Sequence, residues 1–160
     1  MSNTKSMDFE RGSTQYLSIV DANLSSGFPG KETTGSNGDI TIEMWIKLEE
    51  LPSTAGVKFG LVDKFQSVGN QRSYAWEIDT ANKFRFLYSE DGTIAERTDT
   101  LTDSAVFDGD DVGAWVHIAA TVDVSAASII FYKKSNIGKS YVKATFVNMQ
   151  LYTFTTYIEK

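Results

Sequence analysis

Carboxylates offer the first opening for chemistry in this chain. "FDGDDVG", Phe107 to Gly113, is their densest cluster, and Asp108, Asp110 and Asp111 carry the hard oxygen donors that calcium takes. The spacing is not that of an EF-hand, because the fifth position is Val112 and the twelfth is Ala119. A polar β-turn is the competing reading, and Asp21 is a further isolated oxygen donor. The absence of cysteine excludes disulfides, thiolate metal sites and a cysteine nucleophile. The single histidine, His117, sits mid-strand beside Trp115 and reads as a hydrogen-bonded structural residue rather than a general base. No Gly-x-Ser-x-Gly elbow, Walker loop or dinucleotide fingerprint occurs.

Aromatic side chains are the second opening. In "GDITIEMWIKLEE", Gly38 to Glu50, one side carries Ile40, Ile42, Met44, Ile46 and Leu48, and the other carries Thr41, Glu43, Lys47 and Glu49. Trp45 falls on the polar side. "GAWVHIAATVD", Gly113 to Asp123, repeats the pattern: Val116, Ile118, Ala120 and Val122 oppose Trp115, His117, Ala119, Thr121 and Asp123. A tryptophan placed this way either anchors the fold beneath loops or along a concave sheet, or offers a flat face to a sugar ring. We read Trp45 and Trp115 as anchors.

These residues must be held by strands. No stretch sustains apolar residues at helical spacing, whereas period-two alternation recurs between turn signals. The pattern predicts strands near 6–10, 15–20, 39–49, 57–65, 73–79, 83–89, 93–101, 114–123, 128–134, 140–147 and 149–157. Asp91-Gly92 within "SEDGT" marks a hairpin. The class is all-β, a two-sheet antiparallel β-sandwich, in a single domain spanning 1–160. One long irregular stretch, Asp21 to Gly38, is either a surface insertion or a binding loop.

The segments "MDFERGSTQYLSIV", "DITIEMWIKLEE" and "AWVHIAATVD", followed by "IIFYKK", resemble the laminin-G-type branch of the concanavalin A-like lectin/glucanase superfamily over residues 7–134. The resemblance implies a jelly roll with one flat or convex sheet and one concave sheet. It also implies a module that binds glycans or proteins, sometimes with calcium. Nothing after Val147 looks like the family's closing strand, so "NMQLYTFTTYIEK" either supplies it or leaves an edge open. If a ligand surface lies on the concave sheet and rim, its residues are Tyr74, Trp76, Tyr88 and the loop around Phe28.

The superfamily includes retaining glucanases, whose strand reads Glu-x-Asp-x-Glu. Here Glu77 and Asp79 fit, but the third carboxylate is replaced by Ala81. Double displacement needs two carboxylates about 5–5.5 Å apart, so the reading is non-catalytic. Glu77 and Asp79 are expected to face solvent opposite Tyr74, Trp76 and Ile78. No cofactor is expected apart from calcium.

A net charge of −6 argues against nucleic acid as partner. No apolar run is long enough to insert in a membrane, and the first residues lack a signal-peptide core. From Ile129 onward, five lysines stand against Glu159 alone, a net +4 that leaves −10 on the rest. Those lysines either guard strand edges or dock on an acidic partner. Two settings follow for a recognition or decoration module. One is a phage virion exterior, with capsid or tail proteins as partners. The other is a secreted or cell-surface bacterial protein that binds a glycan or protein surface.

Overall fold

A computed structural model of the chain describes residues 6–13, 15–24, 39–89, 92–95, 97–123, 128–135 and 142–147. Among these residues eight strands run β1 (Ile40–Lys47), β2 (Phe59–Gln66), β3 (Gln71–Ile78), β4 (Phe84–Ser89), β5 (Arg97–Leu101), β6 (Trp115–Asp123), β7 (Ser128–Ser135) and β8 (Val142–Val147). They form two four-stranded antiparallel sheets, ordered β1-β6-β7-β8 and β2-β3-β4-β5. Among the described residues the one α-helical turn, Pro52–Ala55, starts on proline and ends on Gly56 in the left-handed region, whose N–H bonds Pro52 O.

The alternation that predicted the strands also builds the core. In β6, Val116, Ile118 and Ala120 are fully buried and Val122 nearly so, and Ile129 and Phe131 continue the row in β7. The other sheet contributes Trp76 and Ile78 from β3 and Phe84, Phe86 and Tyr88 from β4. Rings join the two sheets: Phe131 of β7 lies 6.2 Å from Trp76 and 5.3 Å from Phe84, centroid to centroid. Phe107, just before β6, meets Phe84 edge-on at 5.2 Å. Each such side chain contributes roughly 1.5–3 kcal/mol on leaving water, so this aromatic seam is the main cohesion between the sheets.

The strands expected near 39–49, 57–65, 73–79, 83–89, 114–123, 128–134 and 140–147 are present with small shifts of boundary. β4 and β5 pair antiparallel, as the expected hairpin requires, although β5 begins only at Arg97 and Asp91 of the expected turn lies outside the described residues. Residues 6–10 and 15–20 are not strands: short 3-10 turns at Arg11–Ser13 and Asp21–Asn23 stand on either side of an irregular stretch without a ladder. Alternation makes a strand only where a neighbour accepts its hydrogen bonds, and among the described residues these segments have none. The expected strand at 149–157 lies outside the described residues.

Candidate functional site

β1 and β6 pair over their full length, so their outward side chains meet in rows. Lys47 stands opposite Trp115, Trp45 opposite His117, and Glu43 opposite Ala119. β7 extends two of these rows, placing Lys134 against His117 and Tyr132 against Ala119. The Trp45 and His117 rings are 5.1 Å apart and tilted by 50°. His117 Nε2 lies 3.6 Å from the Glu43 carboxylate. Ala119 occupies the same row between Glu43 and Tyr132 and is 9% exposed.

Trp45 is 53% exposed and Trp115 40%. The expectation that they anchor the fold is therefore corrected. The pleat sends them away from the aliphatic row, and no described element covers that face of the sheet. The result is an aromatic strip with hydrogen-bonding groups on both flanks, suited to holding an amphipathic ring by its face while polar edges are satisfied.

The residues expected to form the ligand surface lie elsewhere. Trp76 is wholly buried, Tyr88 is 3% exposed and Tyr74 9%. All three point between the sheets, where Tyr74 stacks on Phe86 at 6.3 Å, so none can meet a ligand. Burial pushes the Tyr74 phenol above its ordinary value, and the charge of Asp63 adds to the rise. Phe28 lies outside the described residues.

Glu77 does not face solvent as expected. It is 6% exposed, held by Lys58 Nζ at 2.8 Å and Arg85 Nη1 at 2.9 Å. Arg85 also forks onto Asp99, and hydrogen bonding to that carboxylate is the main cause of a guanidinium pKa well above the ordinary value. Asp79 is occupied as well, accepting from Ala81 N at 2.9 Å and Lys83 N at 2.8 Å to close the β3–β4 turn. An open cleft of about 460 Å³ lies over this end of the sheet, lined in part by Lys58, Asp79 and Arg85. Its charges are largely spent on one another.

The family model described as the concanavalin A-like lectin/glucanases superfamily, of laminin-G type, matches residues 11–133. The chain belongs to this superfamily. No curated protein matches it. Laminin-G-type domains are in general carbohydrate- or protein-binding modules, and the same superfamily contains glucanases. In this laminin-G-type domain, the strand that would carry a glucanase dyad presents Glu77 locked to two cations, Asp79 capping a turn, and Ala81.

The calcium candidates of this laminin-G-type domain do not converge. Asp108 caps the 3-10 turn Gly109–Asp111 by accepting from Asp110 N at 3.0 Å. Asp111 turns inward, is 2% exposed, accepts from Asp108 N at 2.9 Å, and pairs with Lys133 Nζ. Lys133 is thereby the counter-ion that a metal would have to replace. Among the described residues no group of three or more His, Asp or Glu side chains is placed to hold a metal ion, so the cluster does not fit calcium. The side chain of Asp21 lies outside the described ones.

Sequence reasoning placed its ligand candidates on β3 and β4, where Tyr74, Trp76 and Tyr88 turn inward, and read Trp45 and Trp115 of β1 and β6 as anchors. Trp45 and Trp115 already stood out from their polar neighbours, and His117 is the cross-strand partner of Trp45. The usable signal was the recurrence of a tryptophan amid polar positions on two strands that pair.

Proposed function

We propose that this domain is a non-catalytic recognition module that binds a glycan on the outer face of the β1-β6-β7 sheet. The observation that carries this reading is the pair of exposed tryptophans set diagonally on neighbouring strands, Trp45 against His117 and Trp115 against Lys47. A pyranose ring has an apolar face and hydroxyls around its edge. The indoles supply the surface for the face, and Glu43, Lys47 and Lys134 supply acceptors and donors for the hydroxyls. The ion-paired state of Glu77 and the alanine at position 81 support the non-catalytic half of the proposal.

For its setting we propose the exterior of a larger assembly, a phage virion in first place and a bacterial surface protein in second. The support is the contrast in sequence between the acidic body and the lysines after Ile129 apart from Lys133, whose charge is spent on Asp111; that contrast suits attachment to an acidic partner.

A glycan-array screen of the protein beside Trp45→Ala and Trp115→Ala tests the reading. Saturable binding to a defined glycan class, lost in both variants while their circular dichroism is unchanged, is expected. No binding to any glycan, or binding indifferent to both substitutions, overturns it.

A further inference from the structure

His117 is the single histidine of the chain and stands opposite Trp45 on the outer face of the β1-β6 pair. Its side chain is 19% exposed, against 69% for that of Glu43. Nε2 lies 3.6 Å from the Glu43 carboxylate, and the imidazole and Trp45 rings are 5.1 Å apart. At 3.6 Å the two groups are within reach of an ion pair but are not joined by a hydrogen bond. What holds Glu43 to His117 is therefore charge alone, and that charge exists only while the imidazole carries a proton.

The other charges facing the imidazole are few. From β1, Glu43 stands on one side of Trp45 and Lys47 on the other. From β7, Lys134 stands directly opposite His117, and Tyr132 stands one outward position further along. On β6 itself the flanking outward positions are Trp115 and Ala119, which carry no charge. Imidazole is the side chain whose ordinary charge change falls between about pH 5 and 8. Protonated, it is attracted by the Glu43 carboxylate and the Trp45 ring and repelled by Lys134. The carboxylate is then drawn onto the ring and part of its acceptor capacity is spent. With the imidazole neutral, both Glu43 oxygens can accept from neighbouring hydroxyls of a sugar whose face rests on Trp45. Glu43 and Trp45 share one side of the strand about 7 Å apart, close enough for a single sugar to touch both.

We propose that His117 is a pH gate on this face, which takes a neutral glycan at mildly alkaline pH and releases it as the imidazole gains its proton. The gate rests on the glycan reading above and adds to it a ligand class and a direction. An acidic glycan would bring its own negative charge against Glu43, and it would be favoured rather than released by a protonated His117. The expected effect is that of an exposed ion pair competing with hydroxyls, a weakening of about two- to fivefold between about pH 8 and about pH 5.5.

The probe is a printed array of neutral and acidic oligosaccharides, read at those two pH values with the full chain and with His117→Gln, and with circular dichroism recorded at both. Binding to neutral members is expected, weaker at the lower pH in the wild type and equal at both in His117→Gln. Tryptophan emission gives a readout that needs no glycan. A protonated imidazole quenches an indole beside it, so emission is expected to fall with pH in the wild type but not in His117→Gln or Trp45→Phe. Binding that is equal at the two pH values, that weakens equally in His117→Gln, or that strengthens on acidification overturns the gate and leaves the glycan reading standing. Emission that ignores pH, or follows it equally in Trp45→Phe, overturns the gate as well. Binding to no member at either pH overturns the glycan reading and the gate together.

Discussion

Asp111 offers the sharpest test of how the loop before β6 is built. Its carboxylate is 3% exposed and pairs with a Lys133 side chain that is 12% exposed. Lys133 Nζ also donates to Val106 O at 2.6 Å and lies 5.0 Å from the centre of the Phe107 ring. Asp111→Asn preserves the volume and an acceptor for Asp108 N, and removes only the charge. Lys133 is then a cation with little water and no counter-ion, a change that costs about 3–5 kcal/mol. For a chain of this size about 1 kcal/mol moves the melting temperature by roughly 2–4 °C, so a fall of roughly 6–20 °C is expected.

The assay is thermal denaturation at neutral pH, followed by circular dichroism and repeated with Asp111→Asn combined with Lys133→Met. The double variant is expected to recover most of the loss, because the uncompensated charge has gone. Calcium is expected to leave the wild-type transition where it is. A fall of less than about 3 °C, the scale of an exposed ion pair, would refute the buried-pair reasoning. A calcium-dependent rise would instead return Asp108, Asp110 and Asp111 to the role of ligands, since a ligand that binds only the folded state must raise its stability.

Three further outcomes follow from positions already described. Trp45→Ala and Trp115→Ala are expected to change stability by less than about 1 kcal/mol in urea titrations, against about 3–5 kcal/mol for the buried Trp76→Ala. Gly92→Ala places a Cβ 1.8 Å from Asn70 O on a backbone at φ +82°. The left-handed geometry alone costs about 1–3 kcal/mol, and a variant as stable as wild type would show that this turn is misdescribed. Tyr74 has a phenol pKa raised above its ordinary 10.0 in the folded protein, so its contribution is complete below that pH and is lost as pH rises through the folded value. Tyr74→Phe is therefore expected to flatten the alkaline loss of melting temperature, and parallel profiles for the two proteins would contradict the assignment.

How far the sequence could be read depended on whether the deciding contact was local. Strands β1 and β6 were legible because every inward residue from Ile40 to Ile46 and from Val116 to Val122 keeps period two. The same pattern put Trp45 and Trp115 on the outer side, yet alternation says which side of a sheet a residue takes and nothing about what covers that side. Glu77 was misjudged for a related reason. Its local pattern is that of a surface residue, and it is buried by Arg85 across β4 and Lys58 beside β2, contacts fixed by register. The pairing of Asp111 with Lys133 bridges 22 positions and left no trace in local spacing. Residues 15–20 carry the pattern of a strand, but whether a strand forms depends on a partner that alternation cannot supply.

The two outer faces of the sandwich are finished in opposite ways, and this bears on where recognition occurs. Over β3 and β4, Glu77, Arg85, Asp99 and Lys58 neutralise one another, so a ligand would have to break existing ion pairs to bind there. Over β1 and β6, two indoles remain in water among Thr41, Glu43 and Lys47, where polar residues would have served a merely solvated face equally well. Isolated exposed apolar residues need no explanation, but two exposed indoles set diagonally on paired strands, one of them against a histidine ring, do.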